Sequence, residues 1–580
     1  MKEHMNYTLL CDFYELTMGN GYFQTDGYAD QICYFDVFFR NVPDGGGFAI
    51  AAGLEQVIDY IENLRFTEED IAYLRGKGCF CEGFLDYLRT FRFTGDLWAV
   101  PEGTPIFPRE PFLTVRAPAI EAQFIETFLL LTLNHQSLIA TKTNRIVRAA
   151  DGRPVSEFGS RRAQGPDAAV LGARASYIAG CAGTACTLAD EMYGSPAGGT
   201  MAHSWVQMFP DEYTAFKTYC QLYPHSATLL VDTYNVLKSG VPNAIKAFKD
   251  ILLPQGITNC AIRLDSGDLT YLSRKARKML DAAGLTECKI VASNSLDEYI
   301  IRDLLLQGAK IDSFGVGERL ITSKSEPVFG GVYKLAAVED KQGNIIPKIK
   351  ISANPDKITN PHFKKVYRLF DKESGKAFAD LITLHDEAVD ESQPLELFDP
   401  DATWKRSRVT NFTAKELLAP IFLGGRRVYD SPPSPRCGPT APDRSTCCGT
   451  RLSALRTPIT TTWTCLRSSG TSSSPFWSRR ADRSAHCKTI NTGPHGVRPG
   501  ILFAFSLGQD QLGHFQKHLP LSSVHLIHQL CQLSLQVAPL EHRHPGYQLG
   551  KFTVEVRRHR SQRVQIDFGH AALYLADIAH

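Results

Sequence analysis

No run of about 18 apolar residues occurs in the chain, so no membrane-spanning helix is expected. The opening stretch MKEHMNYTLLCDFYELTM puts Asp and Glu where a secretory apolar segment would run, and a signal peptide is not expected either. The 15 cysteines include no C-x-x-C pair, and both Cys79-Phe-Cys81 and Cys447-Cys448 are poorly spaced for a metal. They read as scattered reduced thiols of a cytoplasmic protein. Acids and lysine are scarce in one part only. Residues 432–580 hold 17 Lys+Arg against 7 Asp+Glu, with 14 Arg to 3 Lys and 11 of the 17 His, whereas residues 1–431 hold 46 against 54. Two compositions share one chain.

What is present describes an ordinary soluble protein. At 580 residues, 43% hydrophobic and 21% charged, the chain is long enough for two or more domains and a substantial core. From about residue 228, "ATLLVDTYNV", "CAIRLDSGDL", "KIVASNSLDE" and "KIDSFGVGER" each read as a short apolar strand ending in polar residues. Helical stretches, Pro242–Leu253, Thr270–Ala283 and Leu296–Gln307, separate them. Alternating strands and helices predict a parallel β/α architecture, and polar strand ends favour an irregular barrel over an open doubly wound sheet. Residues 1–130 differ: "QICYFDVFFRNV" and the helix "GLEQVIDYIENL" predict an α+β N-terminal domain. The barrel core is expected over 131–329. Residues 330–431 form a strand-rich return segment with "DKQGN" as a hairpin turn, of which 330–390 can rejoin the first domain in space.

Four features carry chemistry. In "EFGSRRAQGPDAA" (157–169), Arg161 and Arg162 precede Gly-Pro-Asp at a helix start; paired guanidiniums suit phosphate or carboxylate, or make surface salt bridges. In "RLDSGD" (263–268), Arg263 can meet an anion while Asp265 and Asp268 hold Mg²⁺ or ribose hydroxyls; the bland alternative is a helix cap by Asp265 or Ser266. In "FGVGERLITS" (314–323), Gly315 and Gly317 can bring backbone N–H groups to a phosphate, or simply make a tight turn. Last, "GGTMAHSW" (198–205) sets a lone histidine, His203, after two glycines. Such a residue is usually packing or surface, yet neutral imidazole is also a nucleophile towards a phosphoryl donor. Together these groups describe a site for a polyphosphorylated sugar.

"CDFYELTMGNGYF" (11–23), "FGSRRAQGPDAA", "GTMAHSW", "RLDSGDL" and "GVYKL" (331–335), in this order, resemble the nicotinate phosphoribosyltransferases over about residues 6–431. The resemblance implies a type II phosphoribosyltransferase-like barrel. It implies an enzyme of NAD salvage that joins nicotinate to phosphoribosyl pyrophosphate, with ATP hydrolysis coupled through a phosphohistidine, Mg²⁺ as cofactor, and a homodimer. By the same resemblance His203 is the phosphorylated residue, and Tyr14, Thr200 and Arg263 bind nicotinate, Arg263 through the carboxylate. Thr322 falls at a phosphoribosyl pyrophosphate position. Arg161, Arg162, Asp265 and Asp268 handle phosphates, Mg²⁺ and ribose, with Mg²⁺ held through pyrophosphate and Asp268. Two alternatives stay open: an enzyme acting on nicotinamide, and a phosphosugar-binding protein impaired by its C-terminus.

After "GGRRVYDSP" (424–432) the resemblance stops. Within 432–481, 32 of 50 residues are Ser, Thr, Pro or Arg, with one acid and no Lys, a composition expected to be disordered. Codons for "PRCGPTAPDRSTCCGTR" (435–451), read in a neighbouring frame, permit AKVRAYCARQIDLLWDE, a helix-forming segment like the family's own C-terminus. Residues 432–580 therefore read as an aberrant basic tail, translated out of frame from near Pro432. Neither nucleic-acid binding nor metal binding by "HLIHQL" and "HRHPG" is expected of it.

Overall fold

The computed structural model describes residues 6–354, 357–399, 402–431, 553–557 and 563–567. Six short parallel strands form its central sheet: Val155–Glu157, Gly183–Thr184, Thr228–Leu230, Ala261–Leu264, Lys289–Ala292 and Ser313–Val316. Across the sheet they stand in the order second, first, sixth, fifth, fourth, third. The first and last strands pair directly, Phe314 opposite Val155. That is the cyclic order of a barrel cut once: every strand neighbours its sequence neighbour except the second and third. The seam between those two is bridged by the segment that carries Thr200 and His203.

The strands form where the sequence offers brief apolar runs with β-branched residues, and the helices where apolar residues recur at helical spacing. Leu269–Ala282 buries Leu269, Ser273, Ala276 and Leu280 on one face, and its first turn is capped by Asp268. Asp297 caps Glu298–Leu306 in the same way. The stretch expected as one helix over 242–253 is α-helical at Val241–Ala247 and wound into a π-turn at Phe248–Leu252, and another π-turn, Val236–Gly240, precedes it. Gly240 permits the close approach at the preceding turn, since a side chain there would run into the Val231 carbonyl, 1.9 Å from an added Cβ.

A seven-stranded antiparallel sheet makes the second layer. Strand Ile32–Phe39 lies between Gly331–Glu339 and Leu113–Pro118, and Asp96–Ala99 and Ala419–Leu423 extend the sheet. The "DKQGN" turn joins Gly331–Glu339 to Ile345–Pro347: Asp340 accepts from the Gln342 and Asn344 N–H groups, and Gly343 has φ +81°. Strands Lys364–Asp371, Ala377–Leu384 and Phe412–Glu416 form a separate sheet. Helix Glu126–Ala149 serves both layers, burying Phe128, Leu129 and Leu133 in the antiparallel domain's core and Ile139, Ala140 and Ile146 in the barrel's. The expectations for the tail fall almost wholly outside the described residues; those described there are one antiparallel strand pair that the sequence did not predict, Thr553–Arg557 against Arg563–Asp567.

Helix Phe13–Gln24 is tied to helix Glu126–Ala149 by a buried carboxylate. Glu15 Oε1 accepts from the Thr127 N–H (3.1 Å) and hydroxyl (2.5 Å), while Oε2 is buried with no partner. Burial pushes this carboxyl up to about 8, against the lowering effect of Thr127. The folded chain thus binds a proton that the unfolded chain releases near the ordinary carboxylate value. Stability from Glu15 is present below that value and is lost as pH rises through about 8. Glu15→Gln keeps the Oε1 acceptor without the titration. Its melting temperature should match wild type near pH 5 and exceed it by a few degrees at pH 8.5, a gain of order 2 kcal/mol. Equal differences at both pH values would refute this assignment.

Candidate active site

The polar residues that follow the barrel strands collect at the strands' C-terminal ends, as the chemistry of such barrels requires. Arg263 stands at the centre, its side chain only 14% exposed. Its Nε donates to Ser293 Oγ (2.8 Å), Nη1 to Thr200 Oγ1 (3.0 Å) and Nη2 to Asp265 Oδ1 (2.8 Å). The Phe158 ring lies 5.8 Å from the guanidinium carbon. Three of the five guanidinium N–H groups are therefore committed, and one remains on each terminal nitrogen, enough for a bidentate carboxylate.

His203 opens the short helix His203–Gln207 across the seam, its ring 41% exposed. Nδ1 is 3.1 Å from Thr233 Oγ1, and Nε2 stands 3.9 Å from both Asp232 Oδ1 and Asp265 Oδ2. Asp232 is almost fully buried, at 1% exposure. Its Oδ2 accepts from the Asp265 N–H (3.1 Å) and the Ser266 hydroxyl (2.6 Å), while Oδ1 has no hydrogen-bond partner. A buried carboxylate oxygen without a donor attracts a cation or a protonated ring. Asp265 is shared between the Arg263 and His203 groups, so the two form one cluster.

The other expected residues fall in different places. Arg161 and Arg162 occupy the exposed turn Ser160–Arg162 just past strand Val155–Glu157, and Arg162 helps hold the Glu318 carboxyl below its ordinary range, after Lys324. Asp268 caps helix Leu269–Ala282 through the Tyr271 N–H (2.9 Å), so the cap falls there and not at Asp265 or Ser266. Thr322 donates its hydroxyl to the Glu318 carbonyl (2.8 Å), a helix-end bond. Gly317 caps the helix Glu318–Ile321. Gly315 lies inside strand Ser313–Val316, where a Cβ would stand 2.5 Å from the Phe158 ring. The glycine gives that ring its room. Tyr14, on helix Phe13–Gln24, has its hydroxyl pushed up by burial and by Glu126, and no hydrogen bond or ring contact joins it to the Arg263 cluster among the described residues.

Asp232, Thr233, Ser293 and Phe158 were not legible as site residues in the sequence. One signal existed: Asp232 ends the run "TLLVD" as Asp265 ends "AIRLD". The resemblance also implies Mg²⁺. Among the described residues no group of three or more His, Cys, Asp or Glu is arranged to hold a metal. Two carboxylates are present, however, and Mg²⁺ commonly takes one or two carboxylates together with substrate phosphates; the unpartnered Asp232 Oδ1 and Asp265 fit that donor set.

Residues 9–134 match the model of the nicotinate phosphoribosyltransferase (NAPRTase) N-terminal domain, and residues 363–437 that of the C-terminal domain. The chain is 45% identical over 425 residues to the nicotinate phosphoribosyltransferase of Bacillus subtilis, covering 73% of this chain and 86% of the relative. To nicotinate phosphoribosyltransferase pncB2 of Mycobacterium tuberculosis it is 42% identical over 434 residues, 75% and 85% of the two chains. The crystal structure of human nicotinic acid phosphoribosyltransferase superposes with a TM-score of 0.66 at 27% identity, covering 79% of this chain and 97% of that one. A nicotinate-nucleotide pyrophosphorylase from Pyrococcus furiosus shares the fold, with a TM-score of 0.57 at 24% identity.

Proposed function

The chain belongs to the nicotinate phosphoribosyltransferase family of transferase enzymes, and on that premise we propose that it forms nicotinate mononucleotide and pyrophosphate from nicotinate and phosphoribosyl pyrophosphate, with ATP hydrolysis coupled through phosphorylation of His203. The observation that carries this reading is the single cluster of Arg263, Asp265, Asp232 and His203 at the strand ends.

The two uncommitted N–H groups of Arg263 take the nicotinate carboxylate, and the Phe158 ring flanks the pyridine. The pyridine nitrogen is unprotonated at neutral pH and attacks the ribose anomeric carbon as the bond to pyrophosphate breaks. No general base is needed; orientation supplies most of the rate. We assign Arg161 and Arg162, on the exposed turn that follows Phe158, to the departing pyrophosphate. Mg²⁺, held by Asp265 and Asp232 together with the phosphates, would neutralise its charge. In the coupled reaction the γ-phosphoryl group of ATP passes to the imidazole with loss of ADP, and water later releases inorganic phosphate. The two carboxylates facing Nε2 favour the proton on that nitrogen, which leaves the Nδ1 lone pair for phosphorus once Thr233 yields it. The helix bearing Tyr14 also exposes Phe13 and Met18; we place Tyr14 in the partner's site of a homodimer.

Mononucleotide formation by the full-length chain with Mg²⁺, phosphoribosyl pyrophosphate and nicotinate, with and without ATP, tests the function. ATP-stimulated product is expected; consumption of nicotinamide in preference to nicotinate would overturn the substrate assignment. A second test concerns Gly315→Ala. The added methyl must displace Phe158 from beneath Arg263, so the Michaelis constant for nicotinate should rise about 10-fold, with stability lowered by about 1–3 kcal/mol. Unchanged nicotinate affinity would show that the Phe158 ring plays no part in binding.

A further inference from the structure

Behind the cluster lies a buried carboxylate that the chemistry above does not use. Glu157, fully buried, ends strand Val155–Glu157 immediately before Phe158. No salt bridge to Glu157 occurs among the described residues. One carboxylate oxygen accepts the Gly159 N–H, the other the Thr184 hydroxyl at 2.7 Å. Thr184 is itself buried and fully engaged: its Oγ1 accepts from the Cys186 N–H (2.9 Å), its N–H donates to the Pro196 carbonyl (2.9 Å), and its carbonyl accepts from the Gly198 N–H (2.8 Å). Gly183 makes this close approach possible, because a Cβ there would meet the Pro196 carbonyl at 2.6 Å.

Two segments meet here, and the side-chain bond reinforces the backbone pairing of strands Val155–Glu157 and Gly183–Thr184, in which the Ala185 N–H donates to the Glu157 carbonyl (2.8 Å). On one side is the turn 158–162, which carries the Phe158 ring and both arginines. On the other is the loop 196–203, which carries Thr200 and His203. The barrel ring does not join strand Gly183–Thr184 to Thr228–Leu230; on that open side Thr184 holds the loop by its backbone bonds to Pro196 and Gly198, and on the other its hydroxyl reaches Glu157.

We propose that the Glu157–Thr184 hydrogen bond is a latch that couples the substrate-binding turn 158–162 to the histidine loop 196–203, making Glu157 and Thr184 positioning residues for the coupling of ATP hydrolysis to phosphoribosyl transfer. The inference rests on the phosphohistidine reading of His203. Occupation of the turn by phosphoribosyl pyrophosphate shifts Gly159, Glu157 transmits the shift to Thr184, and the loop responds through Pro196 and Gly198. Burial pushes the Glu157 carboxyl up from its ordinary value, opposed by Thr184 and Gly159, as expected of a group held by these donors rather than by solvent.

The test is the number of ATP molecules hydrolysed per mononucleotide formed, measured on full-length wild type, Thr184→Val and Thr184→Ser. Valine keeps the shape but cannot donate to Glu157. The ratio should rise about 5-fold or more in Thr184→Val, as the loss of one buried hydrogen bond allows, and should stay at the wild-type value in Thr184→Ser. A purely structural role would lower both rates together. An unchanged ratio in Thr184→Val overturns the latch, as does an equal rise in both variants. Product unstimulated by ATP in wild type overturns the phosphohistidine reading and the latch with it; stimulated product with an unchanged ratio overturns the latch alone. Should Thr184→Val not fold, hydrogen–deuterium exchange of wild type decides. Phosphoribosyl pyrophosphate should slow exchange in 183–186 and 196–203 as well as in 158–162, and exchange confined to 158–162 overturns the proposal.

Discussion

His203→Ala should take up no label from γ-labelled ATP and should form nicotinate mononucleotide at the same rate with ATP as without it. Alanine removes the imidazole of the cluster and leaves the three hydrogen bonds of Arg263 in place, so nicotinate binding should survive. A change confined to the ATP-dependent rate would therefore separate the phosphoryl acceptor from the base-binding residues. Asp232→Asn sharpens the result. The amide oxygen can still accept from Asp265 N–H and the Ser266 hydroxyl, but one of the two charges facing Nε2 is gone, and labelling should slow by about 10-fold. Rapid-quench labelling with gel autoradiography reads both variants. Label retained in His203→Ala would remove the histidine from the mechanism.

Arg263→Lys should raise the Michaelis constant for nicotinate by about 100-fold or more, as truncation of a partly buried charged hydrogen-bond donor does. The side chain carries three internal bonds, to Ser293, Thr200 and Asp265, at 2.8–3.0 Å. A lysine has three donors on one rotating nitrogen and cannot serve that scaffold and a carboxylate together. Preference should also relax: nicotinamide lacks the charge that Arg263 pairs, so its affinity should change far less. Steady-state kinetics with both bases checks this. An equal loss for nicotinate and nicotinamide would mean that Arg263 supports the fold of the site and does not read the carboxylate.

Much of this site was legible residue by residue. Arg263, Asp265, Thr200 and His203 stand in motifs whose local chemistry is visible without a fold, and the structure brings all four together. Asp232 was harder, being one acid at the end of one apolar run. It becomes a site residue only because strand Thr228–Leu230 pairs with Ala261–Leu264, which sets its carboxylate against the Asp265 N–H. Ser293 enters by the same route from the other side, through the pairing of Lys289–Ala292 with Ala261–Leu264. For Gly315 the structure adds a need that the sequence did not show, room for the Phe158 ring. Asp268 and Thr322 carry suitable groups that the helices claim for their own ends.

The sequence by itself determined the element types, because strand and helix differ in the period of their apolar residues, and it determined the family, because several motifs occur in fixed order. It also located the change of composition near Pro432. Only the tertiary structure decided which strand ends are neighbours, where the barrel ring is open, and which polar groups are left without partners. Those outcomes depend on contacts between residues some 30 positions apart, such as Arg263 with Ser293 and His203 with Thr233. Local chain chemistry has no term for such distances; the pairing of strands supplies it.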